Sequence, residues 1–163
     1  MQSYIESLES LLVSNLSADI FLVALFIFVL FLSFVFYNKI FKEFKKGEIT
    51  RKTYFVIVNI VRLVMIIIII NRGFYMDAYI KDLDDLKNEK YNIVVGEVVG
   101  YRDGYEGNSG SVHTDPSFKV YGYEELIDID VPNTELGAKY EIIYGKHSRL
   151  GVIIREINQE EET

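Results

Sequence analysis

The residues of this 163-residue chain that could do chemistry are few, and their spacing argues against most of it. His113 and His147 are the only imidazoles and there is no cysteine. Zinc requires several clustered His, Cys, Asp or Glu ligands, whereas these histidines fall in separate loops and read as exposed loop residues. Without thiols the chain has neither a disulfide framework nor a cysteine nucleophile. The stretch "RDGYEGNSGSVHTDPS" brings together Asp103, Glu106 and Asp115, carboxylates of the kind that hold calcium. EF-hand spacing is missing, and a solvated loop accounts for them better. Ser109 sits between glycines without the G-x-S-x-G spacing of a nucleophile elbow, and no G-x-G-x-x-G or P-loop occurs. Asp128 and Asp130 share a strand face, but a general acid/base pair needs a third group to act with and none is in view. The expectation is a non-enzymatic chain with no cofactor and no metal. An enzymatic reading would rest on His113, Asp115 and the other loop acids alone.

Recognition fits these residues better than catalysis. Tyr101, Tyr105, Tyr121 and Tyr123 flank the acidic loop, and with Asp103, Glu106, His113 and Asp115 they form a candidate partner-binding patch. Tyrosine buries large area at low entropic cost, and loops on a β scaffold commonly carry function. Tyrosine is also an ordinary strand residue, which is the competing explanation.

A second candidate lies in "NIVRLVMIIIIINR", where Arg62 interrupts an otherwise apolar run with Asn59 three residues before it on the same helical face. No acid of the first apolar run stands at that depth, and Ser33 is its only clearly polar residue. The expectation is that the helix pair cannot neutralise Arg62 internally. It either snorkels to inner-leaflet phosphates or meets a carboxylate or carbonyl of another chain, making Asn59 and Arg62 a membrane-embedded partner face.

Two apolar runs must position these groups. Ile20 to Tyr37 is eighteen residues without a charge, the length that begins to cross a hydrocarbon layer about 30 Å thick. Tyr54 to Ile70 carries thirteen Phe, Val, Ile or Leu residues, and their summed insertion free energy outweighs the roughly 3 kcal/mol cost of Arg62. Transmembrane helices are expected over 19–37 and 53–72. A cleaved signal peptide would need a basic leading segment, whereas Met1 to Asp19 holds no Lys or Arg and three acids, so the first run reads as a retained anchor. The preceding tail, 1–18, spaces Ile5, Leu8, Leu11, Leu12 and Leu16 along one helical face. It either lies in the interface or continues the first membrane helix.

Charge gives an orientation. The loop 38–52 contains Lys39, Lys42, Lys45, Lys46, Arg51 and Lys52, a density suited to anionic lipid on the cytoplasmic side. Both termini are then extracytoplasmic, and Arg72 is a lone charge arguing weakly for the reverse. From Gly73 to Thr163 there are nine Lys or Arg against nineteen Asp or Glu, a net of −10 within an overall −7. Such a field repels nucleic acid and favours basic partners or cations.

Beyond the second run, 73–90 repeats apolar residues at Tyr75, Tyr79, Leu83 and Leu86, with charges at Asp77, Lys81, Asp82, Asp84, Asp85 and Lys87, the pattern of an amphipathic juxtamembrane helix. From Tyr91 the period becomes two. "YNIVVGEVVGY", "SFKVYGY", "LIDIDV", "KYEIIYG" and "LGVIIREI" are five strand-like runs within a domain over 91–158, with "GKHSR" turning a hairpin and an acidic tail at 159–163. The expected fold is a membrane α-helical hairpin followed by a small all-β domain, five-stranded and mostly antiparallel, closed or half-open as a barrel.

A short anchor followed by such a barrel resembles the short NfeD-type membrane proteins, whose outer domain is OB-like. The hairpin "GAKYEIIYGKHSRLGVI" resembles the terminal hairpin of membrane-tethered β-domain proteins of Gram-positive bacteria. The resemblance implies architecture rather than activity. The functional expectation is a multi-pass cell-membrane protein that presents a binding module outside the cytoplasmic membrane as an accessory or regulatory subunit of an envelope complex. Its partner is another membrane or envelope protein, or a second copy of itself. The alternatives are an immunity-type protein that neutralises a secreted toxin, and a cytoplasm-facing sensor or regulator.

Overall fold

A computed structural model describes residues 1–36, 51–102, 115–120 and 126–157. Two long helices, α1 (Gln2–Val35) and α2 (Arg51–Lys87), precede five strands: β1 (Asn92–Arg102), β2 (Asp115–Val120), β3 (Ile127–Asp128), β4 (Lys139–Tyr144) and β5 (Gly151–Ile157). The chain divides into two compact units, one formed by Leu16–Asp77 and the other by Met1–Asn15 with Ala78–Thr163.

In the first unit, α1 and α2 are each long and apolar enough to cross a membrane, and only 6% of the most apolar window of either is buried. Phe21, Phe28, Phe31 and Phe34 on α1, with Phe55, Leu63, Ile67 and Ile70 on α2, point outward. Contiguous apolar surface of this extent is not stable in water.

Neither helix breaks at the boundaries expected from sequence. The tail 1–18 is the first half of α1, so of the two arrangements open to it the chain takes the continuous one. The segment 73–90 is not a separate helix, since α2 runs through Gly73 to Lys87. One glycine costs only about 1 kcal/mol in a helix, and good helix formers on either side carry the hydrogen-bond ladder past it. The stop comes later. Glu89 adopts φ 57°, while the Lys90 amide donates to Asp85 O at 2.8 Å and the Glu89 amide to Leu86 O at 3.0 Å. These two bonds form a Schellman cap with glutamate where glycine is usual.

In the second unit the sheet order is β3-β2-β1-β4-β5, with every neighbour antiparallel. Alternation places Val94 and Val98 of β1, Phe118 and Val120 of β2, and Tyr140, Ile142 and Tyr144 of β4 in one core, joined by Ile129 and Val131. In "LIDIDV" the isoleucines and valine turn inward, with Ile129 and Val131 buried, while Asp130 is exposed. The ends of the sheet meet at one corner: the Asp130 amide donates to Arg149 O at 2.8 Å and the Gly151 amide to Asp130 O at 3.0 Å. Only glycine fits there, because a Cβ on Gly151 would lie 2.8 Å from Ile129 Cγ2.

Candidate functional site

Arg62 is met within the chain. Its Nε donates to Ser33 Oγ at 3.0 Å and its NH2 to the Ser33 carbonyl at 2.6 Å, with a longer contact from NH1 to Asn59 Oδ1 at 3.4 Å. The guanidinium also stacks 3.8 Å from the ring centroid of Phe34. The expectation that the helix pair cannot satisfy Arg62 internally and must leave it to lipid or another chain is therefore corrected, because α1 supplies two acceptors. A search for acids overlooks main-chain acceptors: the last four carbonyls of a helix lack N–H partners inside it, and its C-terminal end carries the negative pole of the macrodipole. Ser33 lies in that last turn of α1. Its hydroxyl serves twice, donating to Leu30 O at 2.7 Å while accepting from Arg62. Arg62 thus caps α1 from α2, through a hydroxyl and a main-chain carbonyl.

Ten residues along α2, about 15 Å at 1.5 Å per residue, Arg72 bonds Asp19 Oδ1 at 3.1 Å. Asp19 is buried and its Oδ2 has no partner among the described residues. Arg72 is thus not the lone charge that the sequence suggests.

In the second unit, Asp82 is 1% exposed. Its Oδ1 accepts the His147 amide at 2.9 Å and its Oδ2 the Ser148 amide at 2.7 Å. Both amides belong to the turn between β4 and β5, whose conformation requires Arg149 at φ 61°. Gly145 makes the approach feasible, since a Cβ there would lie 2.6 Å from Asp82 Cγ. The end of α2 is fastened to the β domain here, and a buried carboxylate carries the contact. One turn further along α2, Asp85 Oδ2 lies 3.4 Å from His147 Nε2. The ligand atoms of Asp82, Asp85 and His147 lie within 4.8 Å of one another. Two of the three are partly exposed and the third has both oxygens engaged by amides, so a structural joint accounts for the cluster without an ion.

Of the loop patch, Asp103, Tyr105, Glu106, His113, Tyr121 and Tyr123 lie outside the described residues, as do Lys39, Lys42, Lys45 and Lys46 of the basic loop. Arg51 and Lys52 begin α2, and Asp115 begins β2 opposite Arg102. Tyr101 donates its hydroxyl to Thr134 O at 2.8 Å, so its ring is held on the sheet surface by the loop before β4. Asp128 accepts the Ser117 hydroxyl at 2.6 Å, a cross-strand bond that satisfies a residue considered for catalysis.

Asp82 is the residue that sequence reasoning missed. It stands among Asp77, Asp84 and Asp85 on a helix rich in acids, where nothing marks one as buried. The available signal was its spacing, since Asp82 falls three residues after Tyr79 and four before Leu86, on the apolar stripe.

Comparison with family models, with curated proteins and with solved structures finds no match. What fold and site define is therefore an architecture: two helices long and apolar enough to span a membrane, and a small antiparallel β domain fastened to the end of the second.

Proposed function

We propose that this chain is a non-enzymatic membrane protein with two spans, presenting its acidic β domain outside the cytoplasmic membrane to a basic partner protein, as an accessory or regulatory subunit of an envelope complex. The observation that carries this reading is the outward apolar surface of α1 and α2 on either side of the basic segment 38–52, followed by a region of net charge −10. Positive charge is retained on the cytoplasmic side, and an acidic domain steers basic partners toward it. The Asp19 contact further supports this orientation, because a paired Arg72 argues less for the reverse. The corner contact at Asp130 supports a half-open barrel of the OB-like kind. The candidate contact patch is the loop that follows Tyr101.

The absence of native cysteine provides the test. Lys45→Cys and, separately, Lys146→Cys, the latter on the exposed β4–β5 turn, are exposed to a membrane-impermeant thiol reagent in intact cells. Labelling at 146 and not at 45 is expected. The reverse pattern overturns the orientation and makes the domain a cytoplasmic regulator.

A further inference from the structure

The joint between α2 and the β4–β5 turn brings two carboxylates and one imidazole together. Asp82 and Asp85 are three residues apart on α2 and face the turn, and like charges at that spacing repel. Asp82 is held by amides. Asp85 is not so held: among the described residues its ionic partner is His147, through a contact that is an ion pair only when the imidazole is protonated. The groups of α2 facing His147 are the carboxylates of Asp82 and Asp85, and the charged neighbours on its own turn, Lys146 and Arg149, are exposed. His147 therefore grips α2 twice, by its backbone through Asp82 and by its side chain through Asp85 when the imidazole is protonated.

We infer that this joint is a proton-sensitive latch, in which acidification fastens the β4–β5 turn more tightly to the end of α2. The direction follows from charge. The ion pair to Asp85 exists only with a protonated imidazole, so its contribution is larger in acid than at neutral pH. The backbone contacts to Asp82 keep the turn docked at neutral pH, so the latch tunes the joint rather than opening it. With both side chains about a third exposed, the effect is modest.

The test is a double-substitution cycle on the full chain in detergent micelles, comparing the wild type, His147→Gln, Asp85→Asn and the pair. Thermal unfolding is followed by the near-ultraviolet signal of the tyrosines at pH 5.5 and 7.5, each with and without EDTA. The expected result is a non-additive Tm shift of about 2 to 4 °C at pH 5.5 that vanishes at pH 7.5 and is unaffected by EDTA. Additivity at both pH values, or equal coupling at both, overturns the latch. Coupling abolished by EDTA also overturns it, in favour of a bound cation. Both substituted positions are partly exposed, so the variants are expected to fold.

Discussion

Arg62 and Asp82 stand twenty residues apart on α2, carry opposite charges, and both bond main-chain atoms. Arg62, in the apolar unit, uses carbonyl and hydroxyl oxygens at the C-terminal end of α1. Asp82, in the β unit, uses two amides of a tight turn. In both places a helix interior delivers an ionised group to main-chain atoms that their own element leaves unsatisfied. The difference lies in what removal would leave behind. Without Arg62, an apolar substitute suits the outward apolar surroundings of α2. Without Asp82, the two part-buried turn amides lose the acceptor that holds them, and a donor left unsatisfied costs part of its desolvation penalty.

The largest effect expected from that contrast belongs to Asp82→Ala. Losing two charge-assisted bonds should lower the stability of the β unit by about 3 to 4 kcal/mol, measured by urea unfolding in micelles. Arg62→Leu should act the other way, easing membrane insertion of α2 by about 3 kcal/mol in a glycosylation-mapped insertion assay while leaving the β unit unchanged. A loss of folded protein in that variant would mean that Arg62 does more than cap α1. Gly145→Ala sharpens the Asp82 side, because the added methyl group collides with the carboxylate; a loss of about 2 kcal/mol in the same urea experiment is expected, and a neutral result would show that the joint is loosely packed. Glu89→Gly is the smallest. Relieving the left-handed cap should raise the unfolding midpoint by an amount equivalent to about 0.5 to 1 kcal/mol.

Much of the architecture was legible because hydrophobic periodicity is a local signal. Each of the five runs from Tyr91 to Ile157 overlaps one of β1 through β5, although only two residues of "LIDIDV" are strand, and the alternation in that run gives the correct inward set. The two apolar runs likewise mark the outward-facing parts of α1 and α2. Less legible was where the helices would not stop. Gly73 and the change to an acidic composition suggest a boundary, whereas helix propensity carries α2 through to the cap at Glu89. Least legible were the partners of buried charges. Arg62 stands out because its neighbours are apolar, yet its acceptor is a backbone atom 29 residues away that no residue type announces. Asp82 is marked only by its place on the apolar stripe, since it is one acid among several and its donors lie 65 and 66 residues downstream. Sequence pattern finds such groups only when their charge conflicts with their neighbours.

The most direct measurement of the central claim, that main-chain dipoles of the β4–β5 turn hold the end of α2 through Asp82, is amide hydrogen exchange on the full chain in lipid nanodiscs. In the wild type the His147 and Ser148 amides should be strongly protected. In Asp82→Asn they should lose at least tenfold in protection while the core amide of Val98 keeps its own. Unchanged protection at His147 and Ser148 would contradict the account, because those amides would then have acceptors other than the Asp82 carboxylate.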